Sequence, residues 1–278
     1  MDSKKKEKSS YEWSPWHGCT KKSEGCLNCY VYRGDARRER EASICKRTLQ
    51  YDLPIKKDKK RNYKIPSGKV IFTCFQSDFL IKDADPWRSE CFKMIKERSD
   101  CFFVFFTKRP ERLKEFLPED WNDGYDNLEI GVTVENQKRA DERLPIFMNI
   151  PMKHRMIVIE PMLEEIDIEK YLRDDIEEVT AGGESGPNAR PLNFDWIKSL
   201  RDQCERKNVH FSFHQTGKKF IKDGVHYNIQ RKFQHSQAKK ANIDYLRSKR
   251  IKFGKAKVDT NQLSFDFDIE EWWRYIWL

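Results

Sequence analysis

The chain has 278 residues, which is enough to bury a full-sized core in one large α/β domain or two smaller ones. It carries 54 Lys and Arg against 45 Asp and Glu, and its 8 cysteines are irregularly spaced behind a lysine-rich start that lacks an apolar leader. These features argue against a secreted protein stabilised by disulfides. The most apolar run is only as long as a strand, so we exclude a membrane-spanning segment. We therefore expect a cytoplasmic protein.

Charge is segregated along the chain. Residues 1–69 carry 19 Lys and Arg against 9 Asp and Glu, residues 101–180 carry 11 against 19, and residues 201–257 carry 16 against 4. Two basic ends around an acidic middle favour a polyanion such as a nucleic acid as partner, although a solvated basic surface explains the same counts.

Three cysteines, Cys19, Cys26 and Cys29, lie in a turn rich in glycine and serine near the start of the chain. Such a turn can bend sharply enough to bring three thiolates to one centre. Zinc in a structural site takes four ligands, whereas an iron–sulfur cluster on three cysteines keeps one iron open for a small molecule. We favour a [4Fe-4S] cluster, but Cys45 could complete a zinc site, and plain buried thiols remain a third interpretation.

Composition divides the chain into four parts. We predict a basic leader over residues 1–10, a barrel domain with the cysteine turn over 11–217, a basic extension over 218–257 and an acidic, aromatic tail over 258–278. Residues 11–16 could form a first strand, and the mixed charges of residues 30–50 predict a helix.

Beyond residue 70, short β-branched or aromatic runs alternate with stretches of helical periodicity. Strands are predicted at 70–74, 102–106, 128–132, 156–159, 178–181 and 209–213, and helices at 87–98, 110–116, 137–147 and 194–207. Alternation of this kind implies a parallel sheet, and no Gly-x-Gly-x-x-Gly follows a strand. We therefore predict an α/β fold with a partial or full (β/α) barrel of six to seven parallel strands.

In a barrel, the loops after the strands form the active face. Six successive predicted strands end in polar groups that could bind or react: Ser77, Asp78, Lys108, Arg109, Glu135, Glu160, Glu184, Ser185, His214 and Gln215. One or two such endings are ordinary loop polarity, but six in succession predict a site.

Several motifs resemble the phage Gp37/Gp68-like proteins, the DUF5131 family. They are Trp-x-Pro-Trp-x-Gly-Cys followed by Gly-Cys-x-x-Cys-Tyr, Thr-Lys-Arg-Pro-Glu-Arg at 107–112, Val-Glu-Asn at 134–136 and Gly-Gly-Glu-Ser-Gly-Pro-x-Ala-Arg-Pro at 182–191. The family is grouped with the radical SAM enzymes, whose partial barrels hold a four-iron cluster on three cysteines beside S-adenosylmethionine. The cysteine spacing here is six and two rather than the usual three and two, and Asn28 replaces the usual aromatic residue.

The resemblance implies an enzyme in which the open iron binds S-adenosylmethionine, an electron donor supplies one electron, and the adenosyl radical abstracts a hydrogen from the substrate. The implied metal ligands are Cys19, Cys26 and Cys29. The implied cofactor-binding residues are Tyr30, Ser77, Asp78, Glu135, Gly182, Gly183, Glu184 and Ser185. The implied catalytic residues are Lys108, Arg109, Glu160 and His214.

Two alternatives to these expectations remain open. A zinc-stabilised protein that binds nucleic acid through its basic ends, without catalysis, fits the same cysteines and charges. In the tail, residues 262–267 resemble the short peptide by which bacterial DNA-handling proteins bind the replication sliding clamp, although a segment that covers the open side of a partial barrel is the simpler interpretation.

Overall fold

A parallel sheet of seven strands runs through the computed structural model, which describes residues 8–247. The strands are β1 (Ser10–Trp13), β2 (Trp16–His17), β3 (Lys46–Arg47), β4 (Val70–Thr73), β5 (Phe102–Thr107), β6 (Leu128–Thr133), β7 (His154–Ile159), β8 (Ile176–Gly182), β9 (Leu192–Asn193), β10 (His210–Gln215), β11 (Lys219–Lys222) and β12 (Val225–Asn228). The helices are α1 (Tyr30–Ala36), α2 (Asp85–Glu97), α3 (Leu113–Phe116), α4 (Gln137–Met148), α5 (Phe194–Arg206) and α6 (Gln234–Lys240).

The order of the large sheet is β1-β4-β5-β6-β7-β8-β10, which follows the chain, and every neighbouring pair is parallel. Because each crossover adds its strand on the same side, the sheet curls into a half barrel flanked by helices. Within residues 8–247, β1 and β10 do not pair with each other, so the barrel stays open. The prediction of a partial α/β barrel is confirmed.

Alternation along the strands gives the sheet two different faces. One face packs on the helices in the main core, where Ile71, Phe103 and Ile157 are fully buried. The other face carries a small apolar cluster of Val70, Phe102 and Val104, with partly buried aromatic rings beside it. All seven long strands lie within a few residues of their predicted positions, because buried β-branched and aromatic runs are strong strand signals.

The helix predicted over residues 30–50 is wrong after residue 36. Helix α1 ends at Ala36, and the chain turns back at Glu39, whose φ is +54°. The following residues serve the cysteine turn instead, since the Ala42 carbonyl accepts from the Cys19 amide at 2.8 Å and β3 pairs with β2. Hydrogen bonds to the cysteine turn and to β2, rather than helical periodicity, therefore determine the conformation of residues 37–50.

The basic extension continues the fold as far as it is described. Strands β9, β11 and β12 form a second sheet, α6 follows, and Tyr245 bridges to Phe211 at the edge of β10. The boundary at residue 217 stays a prediction. The acidic tail, with its possible clamp-binding peptide, lies outside the described residues. Among residues 8–247, no helix has the length and apolarity needed to cross a membrane.

Candidate active site

A cavity of about 290 Å³ opens at the carboxyl ends of the half-barrel strands. Most of the residues predicted from the sequence line it: Cys19, Cys26, Cys29, Tyr30, Ser77, Asp78, Lys108, Arg109, Glu160, Gly183, Glu184, Ser185 and His214. Glu135 and Gly182 do not line this cavity. The structure thus brings thirteen of the fifteen predicted site residues to one cavity.

The cysteine turn, residues 18–29, has almost no regular structure of its own. It starts at Gly18, whose φ of +95° favours glycine and where a Cβ would lie 2.2 Å from the Ile44 carbonyl oxygen. Cys26 closes a short 3₁₀ turn, and Cys29 immediately precedes α1. This route places three free, half-buried thiols on one wall of the cavity.

The environment of the thiols bears on whether they suit a metal. Burial raises the pKa of Cys19 to about 12, with Asp78 adding to the rise and Arg109 opposing it, and burial also raises the pKa of Cys29. Within residues 8–247, no group of three or more His, Cys, Asp or Glu side chains is gathered so that it could hold a metal ion. Three unbridged thiols around one cavity fit a cluster, whose ligands bind different irons, better than a single zinc ion, which needs four donors about 2.0–2.3 Å from one point.

The first of three braces on the cysteine turn comes from the end of β5. Arg109 donates to the Thr20 carbonyl at 2.6 Å and is paired with Asp78 at 2.8 Å. Burial alone would raise the pKa of Asp78, but the Arg109 guanidinium and hydrogen bonds from the Lys108 and Leu80 amides lower it. The Asp78 carboxylate is thus ionised and occupied by protein donors.

The second brace comes from the end of β6 and is almost completely buried. Glu135 accepts from the Gly25 amide at 3.2 Å and from Arg143 at 2.7 Å. Burial raises the pKa of Glu135, but Lys108 and Arg143 reverse this shift and lower it. Glu135 therefore holds the middle of the turn in place, which explains why its side chain does not reach the cavity.

The third brace comes from the loop after β8. Glu184 accepts from Asn28 at 2.9 Å and from the Arg190 side chain at 2.6 Å, and Arg33 of α1 donates to Ser185. Burial raises the pKa of Glu184, but Arg190 outweighs it and the pKa is lowered. The Glu184 carboxylate, which is predicted to bind a cofactor, thus holds Asn28, between Cys26 and Cys29, in place.

The remaining predicted binding residues have packing roles that the structure shows directly. A Cβ on Gly182 would lie 2.9 Å from the Glu160 carboxyl carbon, and one on Gly183 would lie 2.4 Å from the Thr216 carbonyl oxygen. Ser77 donates to the Gly18 carbonyl, and Tyr30 donates to the Phe75 carbonyl. Close packing therefore accounts for both glycines, against side chains at Gly182 and against backbone at Gly183.

The opposite wall of the cavity, which we call the histidine wall, consists of Glu160, His214, Gln215, Arg231 and His235. Glu160 pairs with His214 Nδ1 at 2.7 Å and accepts from Gln215, which in turn accepts from Arg231. Burial raises the pKa of Glu160, but His214 and Gln215 overcome it and lower the pKa to about 2.

His235 leaves an acceptor open in this wall. Its Nδ1 bonds the His214 carbonyl oxygen at 2.9 Å, so Nδ1 carries the proton and Nε2 presents a lone pair. Nε2 is buried and has no hydrogen-bond partner within residues 8–247. Burial, with His214 adding to it, lowers the pKa of His235 to about 4. The imidazole is therefore neutral near pH 7.

Lys108 differs from the other cations of the site. It lines the cavity, and within residues 8–247 its ammonium group makes no hydrogen bond or ion pair. Arg109, Arg190 and Arg143 are all bound to carboxylates. Lys108 is consequently a cation available for an anionic group of a ligand.

Sequence reasoning missed the residues that hold the predicted ones: Asn28, Arg33, Arg190, Arg231 and His235. Asn28 and Arg190 lay inside the motifs, and their pairing with Glu184 could have been suspected from charge alone. Arg231 and His235 lie in the basic extension, where no pattern marked them. Only the packing of α6 against β10 brings them to the cavity.

Comparison with known proteins gives one match. The family model described as "Protein of unknown function (DUF5131)" matches residues 4–257. No curated protein and no solved structure matches the chain. The match extends beyond the region of similarity expected from the motifs and includes the segment that carries His235.

Proposed function

The chain belongs to the DUF5131 family, and since that family's description assigns no activity, we propose from the site itself that the protein is a radical-SAM-like enzyme. The observation behind this proposal is that Cys19, Cys26 and Cys29 all line one cavity at the carboxyl ends of a parallel half barrel. In α/β barrels this end is where binding and catalytic groups gather.

The three cysteines would hold a [4Fe-4S] cluster, and the braces from Arg109, Glu135 and Glu184 would fix their geometry. When bound, the cluster and S-adenosylmethionine would supply reductive cleavage of the sulfonium and hydrogen abstraction from the substrate, with the electron coming from a separate donor. Lys108 would neutralise an anionic group of the ligand. The histidine wall would contact the substrate on the opposite side of the cavity.

The competing proposal is a zinc-stabilised nucleic-acid-binding protein without catalysis. It would need a fourth zinc ligand, and the nearest candidate in sequence, Cys45, is half-buried and does not line the cavity. A ligand-sized cavity between the thiols and a wall of titratable groups favours the enzyme, because a structural zinc site has no use for one.

The test is anaerobic reconstitution of the full chain with iron and sulfide, followed by assays of bound iron and of 5′-deoxyadenosine release. We expect Cys19→Ser, Cys26→Ser and Cys29→Ser each to lose nearly all cluster absorbance and all 5′-deoxyadenosine release. Cys45→Ser is the matched control, since it removes a half-buried thiol outside the cavity, and it should keep both.

Two results would contradict the proposal. Iron retained in the Cys26 variant would show that the turn is not the cluster site. A colourless protein that carries zinc, and loses it in the Cys45 variant, would establish the competing interpretation instead.

A further inference from the structure

A basic hairpin stands beside the cavity. Strands β11 and β12 pair antiparallel, and all four residues of β12 are exposed. We call residues 218–233, the hairpin and the turn after it, the basic wing. Two aromatic side chains project from it, Tyr227 with 47% and Phe233 with 45% of its surface exposed. Each ring offers a flat apolar face on which an unpaired base could stack.

The four lysines of the wing form no ion pairs with carboxylates within residues 8–247. They are Lys218, Lys219, Lys222 and Lys232. The wing contains five Lys or Arg and a single acidic residue, Asp223. Some lysines elsewhere do form such pairs: Lys153 with Asp123 and Asp126, Lys170 with Asp141, and Lys198 with Asp195.

Both ends of the wing are anchored at the rim of the cavity. The Lys218 amide donates to the Glu184 carbonyl at 2.9 Å, and the Ile229 amide donates to the Lys218 carbonyl at 2.7 Å. At the far end, Arg231 lines the cavity, followed by His235 of α6. A ligand held along the wing would therefore lie next to the histidine wall.

The chemistry of this surface selects its partner. Uncompensated lysines bind a chain of phosphates, and exposed aromatic rings stack on unpaired bases, a combination typical of surfaces for single-stranded nucleic acid. Lysines also attract anionic membranes, so vesicles of phosphatidylserine serve as a competing ligand in the test. Inside the cavity, the Phe75 and Phe106 rings stack with their centroids 5.2 Å apart and form part of the lining. They offer a flat aromatic surface against which a base could pack.

We propose that the basic wing binds single-stranded nucleic acid and presents one of its nucleotides to the cavity, where the base lies beside the Phe75 and Phe106 rings of the lining. The evidence for the binding step comes from the residues of the basic wing alone and does not depend on the proposed function. The presentation step rests on the proposed function, because it names the substrate class of that site.

The experiment measures fluorescence anisotropy of a labelled 20-nucleotide oligo(dT) and of a 20-base-pair duplex with the full-length protein at two salt concentrations. We expect the Lys219→Glu/Lys222→Glu variant to weaken oligo(dT) binding by roughly tenfold or more. The Tyr227→Ala/Phe233→Ala variant should weaken it by roughly fivefold or more without lowering the salt dependence. The control is Lys170→Glu/Lys198→Glu, which changes the net charge equally at lysines that are already paired.

Each outcome decides the inference. Equal weakening in the wing and control variants would overturn it, since only net charge would then matter. Tighter binding to the duplex, or to phosphatidylserine vesicles, than to oligo(dT) would also overturn it. Oligo(dT) binding that depends on the wing in a protein that releases no 5′-deoxyadenosine would refute the proposed function alone, and release without wing-dependent binding would refute the inference alone.

Discussion

The two walls of the cavity use charged side chains in opposite ways. At the cysteine turn, Asp78, Glu135 and Glu184 bind arginines and backbone amides, so their carboxylates are fully used by the protein. At the histidine wall, Glu160 and His214 bind each other, and the buried Nε2 of His235 has no hydrogen-bond partner within residues 8–247. The carboxylates at the cysteine turn hold a loop in place, whereas we expect the groups of the histidine wall to contact a ligand.

The difference shows that a charged residue at a strand end does not by itself indicate catalysis. A turn without helix or strand hydrogen bonds needs partners from elsewhere, and the strand ends are the nearest rigid elements. Ligands of a metal are commonly held by such outer partners. The comparison therefore predicts that changes at the cysteine turn affect stability and metal loading, whereas changes at the histidine wall affect the response to pH and ligand.

The largest effect is expected from Glu135→Ala. It leaves Arg143, which is 4% exposed, as a buried cation without its carboxylate. Breaking a buried pair in this way costs about 3–5 kcal/mol, so the free energy of unfolding measured with urea should fall by that amount. The control is Glu24→Ala, which removes an exposed partner of Arg139 from the same turn and should cost at most about 1 kcal/mol.

An equal loss of unfolding free energy in the two variants would show that the buried Glu135–Arg143 pair contributes no more than an exposed ion pair. The comparison between the two walls would then lose its basis on the cysteine side.

The sequence predicted the fold well because its signals were local. Buried runs such as 102–106 and the polar residues after them mark strands and strand ends without any knowledge of packing. The site was predicted as a set of residues but not as a set of contacts. Glu184 pairs with Asn28 across 156 positions, and His235 reaches the cavity only because α6 packs on β10. No periodicity encodes such distant pairings.

A smaller effect is expected from Glu184→Ala on metal loading. The change removes one of the two hydrogen bonds donated by the Asn28 side chain and the carboxylate partner of Arg190, so the segment between Cys26 and Cys29 is held less firmly while the thiols remain. Loss of an outer partner of a metal ligand typically costs about 10–100-fold in affinity. We expect iron to be removed from the reconstituted variant by a chelator at correspondingly lower concentration.

The control for loading is Ser185→Ala, which removes only a hydroxyl contact to Arg33 at 3.2 Å. It should load iron like the unmodified protein. Equal loading of the Glu184 variant and the unmodified protein would mean that the third brace does not shape the cysteine turn.

The smallest effect concerns pH and comes from the histidine wall. The pKa of His235 is lowered to about 4, whereas an unfolded histidine titrates near 6.5. Between these values the unfolded chain binds the proton and the folded protein does not, so stability is full above about pH 6.5 and falls as the pH drops towards 4. Glu160, with a pKa of about 2, loses its own contribution below about pH 4.5, outside most of this window.

His235→Gln should therefore reduce the loss of unfolding free energy between pH 7 and pH 5 by about 1–2 kcal/mol. The groups that face His235 are His214, Glu160 and Arg231, and all three remain in the variant. His226→Gln is the control, since His226 lies exposed on β12 and should leave the pH dependence unchanged. Identical pH dependence in His235→Gln and the unmodified protein would mean that the imidazole is hydrated in the folded state, and the open acceptor would then belong to water rather than to a ligand.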